Sequence, residues 1–108
     1  MNISKPDHLI YLILTTFEDK DSACKMANKL LKEKIIPCVT FKDIESYFWW
    51  EGKINKSKEV QLMIKCKKQN VTKVCRILSE NHTYEVPEII YFPANSNENF
   101  HQWVNSFE

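Results

Sequence analysis

The sequence predicts a single α+β domain over residues 1–108, because strand-like and helix-like apolar patterns follow one another in the order β-α-β-β-α-β. A composition of 44% hydrophobic and 27% charged residues is typical of a soluble globular domain. The order of elements is that of the split βαβ, or ferredoxin-like, sandwich, in which two helices cover one face of a four-stranded antiparallel sheet. We expect residues 1–7 to form a loose terminus.

The first predicted strand covers residues 8–17, which are nearly all apolar or β-prone and therefore favour a strand covered on both faces. Asp19 or Asp21 then offers an N-cap for a helix in which alanines and leucines recur at helical spacing. This helix should end before Pro37.

A long hairpin follows, with strands predicted at 38–50 and 53–67 on either side of Gly52, the one glycine in the chain. Each strand would span roughly 40 Å at about 3.3 Å per residue, whereas a compact domain of this length has a radius of gyration of about 13 Å. The hairpin must therefore extend beyond its own domain. Its tip, residues 47–50, is aromatic on both faces, and we expect further copies of the chain to cover it.

The last elements are a second amphipathic helix that begins near Asn70 and a fourth strand at 86–92 that should end at Pro93. A final helix opens at Asn97 and carries an apolar stripe that includes Trp103 and Val104. A two-helix layer has no room for this stripe, so we expect the helix to pack across a subunit boundary.

Charge and composition exclude several classes of function. A net charge of +1 with interleaved signs gives no electrostatic footprint for nucleic acid or an acidic membrane. The longest apolar run, residues 9–14, is too short to span a bilayer. No apolar leader precedes the first strand, so we expect a cytoplasmic protein with reduced thiols. No nucleophile has a base and an orienting acid at recognisable spacing, so we do not expect an enzyme.

Two residue types that bind metals stand out. His82 follows the second helix and precedes Tyr84, and an imidazole here could contribute to a metal site or simply cap the helix. Cys38 at the start of the hairpin could serve as a thiolate ligand or pack in the core.

Charged residues on otherwise apolar strands suggest a cleft between subunits, because a buried charge without a partner is costly. The alternative is that they are ordinary solvated residues. The residues expected to line such a cleft are Trp50, Glu59, Lys65, Tyr84 and Glu88.

Three segments, at 47–54, 59–65 and 82–89, resemble the signatures of the CutA divalent-cation tolerance family, and the resemblance extends over residues 8–107. It implies a ferredoxin-like protomer in a homotrimer whose long hairpins pair between subunits. It also implies a link to divalent-cation tolerance and to copper(II) binding, without implying catalysis.

The resemblance further implies copper ligands at a cysteine that ends the first strand and at two adjacent histidines after the second helix. The matching positions here are Thr15, Asn81 and His82, so only one expected ligand is present. The site is therefore either damaged or rebuilt, and for a rebuilt site we expect Cu²⁺ or another divalent cation, with His82 as a ligand and with Thr15 and Cys38 near it. The alternative is a signalling trimer like the PII proteins, which bind small ligands between subunits.

Overall fold

The computed structural model describes residues 8–107, and the expected loose terminus at 1–7 lies outside this range. Within it the β-α-β-β-α-β order is confirmed, a short 3₁₀ turn precedes the second helix, and a third helix follows. The elements are β1 (Leu9–Phe17), α1 (Lys20–Lys32), β2 (Cys38–Trp50), β3 (Lys53–Cys66), α2 (Val71–Asn81), β4 (Ile89–Asn95) and α3 (Glu98–Asn105). No helix among these residues is long and apolar enough to cross a bilayer.

The four strands form one antiparallel sheet in the order β2-β3-β1-β4, which confirms the ferredoxin-like arrangement. Ile13, Thr15 and Phe17 of β1 are fully buried on the side of the sheet that α1 and α2 cover, which we call the helix face. Residues in between, such as Leu12 and Leu14, lie on the other side, which we call the open face.

The main core lies between the helix face and the two covering helices. Helix α1 begins at Asp19, whose carboxylate accepts a hydrogen bond from the Ser22 amide at 2.7 Å, and this bond lowers the pKa of Asp19. Of the two N-cap candidates, Asp19 is therefore the cap. The largest fully buried side chains of the core include Ile13, Phe17, Leu30, Ile36, Leu62, Ile64, Val74 and Leu78.

The hairpin turn has the predicted geometry. Glu51 and Gly52 have φ values of 52° and 78°, which match a two-residue type I′ turn, and the β2–β3 ladder is continuous from Cys38↔Lys65 to Trp50↔Lys53. The pairing of β1 with β3 ends at Phe17↔Val60, and Val60 pairs with Asp43 of β2. The part of the hairpin between Asp43 and Val60, which includes the turn, is therefore a two-stranded ribbon outside the four-stranded sheet. The described chain is 47 Å long, with a radius of gyration of 15.3 Å.

The aromatic tip of this ribbon is exposed in the single chain. Residues on both of its faces are open to solvent, with exposed fractions of 66% for Tyr47 and 70% for Trp49 on one face and of 44% for Trp50 on the other. The overhang predicted from strand length is confirmed.

Both ends of β4 differ from the sequence prediction by three residues, whereas β1 and β3 each differ by one residue at one end. Strand β4 begins at Ile89 and not at residue 86, and it runs through Pro93, which we expected to end it. Pro93 pairs with Tyr11 of β1. Since β4 is an edge strand, its outer side needs no ladder hydrogen bonds, so a proline without an N–H is tolerated there.

Helix α3 packs against the sheet of its own chain, whereas the sequence analysis expected it to find room only across a subunit boundary. It contacts β1 and β3, whose helix face is already covered by α1 and α2, so it lies on the open face. Its Val104 is fully buried, and Ile10, on the open face of β1, is only 4% exposed. Trp103 of the same helix remains 43% exposed.

Candidate functional site

The segment that connects α2 to β4 lies against the end of β1. His82 is the C-cap of α2 and has extended backbone angles, which turn the chain away from the helix. Its imidazole ring stacks on the buried ring of Phe17, with the centroids 4.2 Å apart and the planes only 8° from parallel. The helix end and the strand end therefore meet at this histidine.

Both ring nitrogens of His82 are hydrogen-bonded within the chain. The Tyr84 amide donates to Nδ1 at 3.0 Å, so Nδ1 carries a lone pair and the proton of the neutral ring lies on Nε2. Nε2 lies 3.2 Å from Oγ1 of Thr15 and can donate to it. Burial lowers the pKa of His82, while the Thr16 backbone and the Glu59 carboxylate act less strongly in the opposite direction.

Tyr84 continues this cluster toward the base of the hairpin. Its hydroxyl donates to Oε2 of Glu59 at 2.7 Å, and its ring lies 5.2 Å from that of His82. Burial, the bond to Glu59 and the nearby carboxylates of Glu18 and Asp19 raise the pKa of Tyr84 well above its usual range. The phenol therefore stays protonated and acts as a donor.

An open cavity of about 420 Å³ adjoins the Glu59 end of this cluster. Four of its seven lining residues carry carboxylates and only one carries an ammonium group, so it suits a cation better than an anion. The lining residues are Glu18, Asp43, Ile44, Glu45, Lys58, Glu59 and Val60.

The structure does not bring Cys38 to His82 within one chain. Cys38 pairs with Lys65, and Lys65 pairs with Leu12 on the open face. Directly paired residues share a face of the sheet, so Cys38 lies on the side opposite to Thr15. The expectation that Cys38 lies near Thr15 and His82 is wrong for the single chain, because the strand alternation separates them.

The expected cleft residues are also dispersed along the chain. Glu59 and Tyr84 meet, but Lys65 lies six residues further along β3, roughly 20 Å away at about 3.3 Å per residue. The ammonium group of Lys65 instead donates to Oγ1 of Thr40 at 3.0 Å. Trp50 lies at the hairpin tip, and Glu88 is exposed just before β4.

A sequence model of the family described as CutA1 divalent ion tolerance protein matches residues 11–107. This chain belongs to that family. The Divalent-cation tolerance protein CutA of Pyrococcus horikoshii is 35% identical over 94 residues, which are 86% of this chain and 92% of that protein.

Solved CutA structures agree over nearly the whole described chain. Divalent ion tolerance protein CutA1 from Ehrlichia chaffeensis superposes with a TM-score of 0.85 at 32% identity, covering 90% of this chain and 92% of its own. The periplasmic divalent cation tolerance protein CutA from Archaeoglobus fulgidus gives a TM-score of 0.84 at 29% identity, with 88% and 94% covered. The CutA1 fold is thus shared across these relatives.

The positions that the CutA resemblance marks as metal ligands do not fit a metal here. Thr15 accepts from His82, and the side-chain amide of Asn81 donates to the Ile77 carbonyl at 2.9 Å. His82 has no free nitrogen, because both are hydrogen-bonded. Between residues 8 and 107, no group of three or more His, Cys, Asp or Glu side chains could hold a metal ion. The local chemistry is that of a hydrogen-bonded structural cluster.

One contact between potential metal ligands was missed by the sequence analysis. The rings of His8, just before β1, and His101, in α3, lie 5.3 Å apart. The two residues are distant in the sequence, and only the packing of α3 on the open face brings them together. No sequence spacing could have indicated this pair.

Proposed function

We propose that this CutA1 family member is a homotrimeric binding protein for a divalent cation, with copper as the first candidate, and that it serves in metal-ion tolerance without catalysis. The exposed two-stranded hairpin is the observation that carries the self-association of the chain. Membership of the family supports the tolerance role, and the points below support the finer parts.

Self-association is supported by the aromatic tip. A tip that is apolar on both faces and lies outside the four-stranded sheet cannot be covered by its own domain. A closed ring of identical subunits covers every hairpin equally, whereas an unclosed contact would lead to filaments. The family resemblance favours three subunits.

Cation binding is supported by the charge of the cavity beside Glu59. Four carboxylates around an open space attract cations and repel the phosphates of a nucleotide, although within residues 8–107 of one chain they do not form a coordination site. This charge makes a PII-like role with an anionic nucleotide the weaker alternative.

A cytoplasmic location is part of the proposal. The four cysteines are all free in the described residues, which suits a reducing compartment. Cell fractionation tests this point, and recovery from the periplasm of a bacterial host expressing the native gene would contradict it.

Calorimetry with Cu²⁺, Zn²⁺ and ATP tests the ligand class. We expect heat of binding with at least one of the two cations and none with ATP. Saturable heat with ATP alone would favour the PII-like alternative, and the absence of any cation binding would overturn the proposal.

Sedimentation velocity tests the role of the hairpin. Trp49→Ser removes the most exposed aromatic ring of the tip, so we expect at least a tenfold weaker association of subunits. Leu31→Ser is a suitable control, because Leu31 is a 37% exposed residue of α1, away from the hairpin. Equal effects of the two substitutions would contradict the assignment.

A further inference from the structure

The pair formed by His8 and His101 lies at the opposite end of β1 from Thr15. Seven residues of extended chain separate His8 from Thr15, roughly 23 Å at about 3.3 Å per residue. The pair is therefore separate from the position at which the family resemblance places metal ligands. Both histidines are half-buried, and their rings are 5.3 Å apart and tilted by 55°.

Backbone hydrogen bonds hold both residues in place. The His8 carbonyl accepts from the Ser96 amide at 2.9 Å, which ties the start of β1 to the end of β4. The His101 amide donates to the Asn97 carbonyl at 3.0 Å, and the His101 carbonyl accepts from the side-chain amide of Asn105 at 2.9 Å. Because the backbone of each residue is fixed, the rings meet at little additional entropic cost.

Within residues 8–107, the ring nitrogens of the pair are not committed to other groups. Among the residues that the structure describes, none hydrogen-bonds to the ring of His8 or His101. His82, the other histidine of the chain, uses both of its nitrogens. If a histidine of this protein binds a metal, the rings with free nitrogens are the better ligands.

The separation of the rings fits chelation of one ion. With metal–nitrogen distances of about 2.0–2.1 Å, two imidazoles at neighbouring tetrahedral or square-planar positions have ring centres about 4.5–5.2 Å apart. The observed distance of 5.3 Å is close to this range. A histidine ring turns readily about its Cβ–Cγ bond, so rotation of the rings can direct one nitrogen of each ring to a shared ion.

We infer that His8 and His101 form a chelating site for a divalent transition-metal ion such as Cu²⁺, Ni²⁺ or Zn²⁺, with water completing the coordination. Paired imidazoles select these ions over Mg²⁺ and Ca²⁺, which prefer oxygen ligands. The inference rests on the proposed function in that the ligand is a divalent cation. It differs in placing the ion between His8, just before β1, and His101 of α3, and not in the cavity beside Glu59.

Calorimetric titration with Ni²⁺ tests the site, since Ni²⁺ binds imidazole and does not oxidise the thiols of the chain. The variants are His8→Gln, His101→Gln and the double variant, with His82→Gln as the matched control. We expect each single substitution at the pair to weaken Ni²⁺ binding at least tenfold and the double substitution to abolish it. The control should bind as the wild type does.

The outcomes separate this inference from the proposed function. Ni²⁺ or Cu²⁺ binding that persists unchanged in the double variant would overturn the His8–His101 site and leave the proposed function standing. A wild-type protein that binds no divalent cation would overturn both.

A measurement on the unmodified chain removes any dependence on the folding of variants. Substoichiometric Ni²⁺, which is paramagnetic, should broaden the ring NMR signals of His8 and His101 before those of His82. Broadening of the His82 ring first would overturn the inference.

Discussion

Replacement of His82 by alanine should destabilise the protein although this residue lies near the surface. The substitution removes the acceptor for the Tyr84 amide, the donor to the fully buried Thr15 hydroxyl and the ring stacked on Phe17. Two hydrogen bonds at about 1 kcal/mol each and one aromatic contact at about 1 kcal/mol give a loss of about 2–4 kcal/mol in the free energy of unfolding.

Urea denaturation at a fixed protein concentration measures this loss, because association would otherwise shift the midpoint. Thr15→Val and the double variant complete a thermodynamic cycle. If Nε2 of His82 donates to Thr15, the two substitutions should couple by about 1 kcal/mol. A loss below about 0.5 kcal/mol for His82→Ala, or a coupling near zero, would refute the structural role of this histidine.

The same cluster should make stability depend on pH. Burial lowers the pKa of His82, so the unfolded chain binds a proton at this residue more readily than the folded chain does. The stabilisation is fully present above the unfolded pKa of about 6.5 and is lost as pH falls below it toward the folded pKa. The wild type should therefore unfold at a lower urea concentration at pH 5 than at pH 7.5. The difference between these two urea midpoints should be smaller in His82→Gln.

Three further results are expected. Tyr84→Phe should lower the free energy of unfolding in urea by about 1 kcal/mol through loss of the hydrogen bond to Glu59. Gly52→Ala should cost about 1 kcal/mol in the same denaturation assay, because φ is +78° although no atom lies within 4 Å of the new methyl group. Burial raises the pKa of the Cys66 thiol to about 12. Mass spectrometry after alkylation of the native protein at pH 8 should therefore find Cys24 modified and Cys66 unmodified. Alkylation of Cys66 as fast as that of Cys24 would contradict the burial of Cys66.

The hairpin was predictable because its signals are local. A lone Gly52 between two long β-prone segments specifies the turn, and the alternation in β3 specifies which residues are buried. Strand length alone then requires the overhang. The predicted end of β4 at Pro93 was wrong for the opposite reason. Strand β4 tolerates this proline because it lies at the edge of the sheet, and the edge position is a property of the whole sheet.

The candidate site was only partly predictable. The contact of His82 with Thr15 followed from matched family positions, but neither the stack on Phe17 nor the donor from Tyr84 has a signal in residue spacing. The predicted position of Cys38 near His82 was wrong for a physical reason. Successive residues of a strand alternate between the two faces of the sheet, and Cys38 falls on the face opposite to Thr15.

Native mass spectrometry of the wild-type protein with added Ni²⁺ tests trimer formation and cation binding in one experiment, because one spectrum reports subunit number and bound ions together. We expect a particle of three times the 12.8 kDa chain mass that carries up to one ion per subunit. A metal-free particle of 12.8 kDa at micromolar concentration would contradict it.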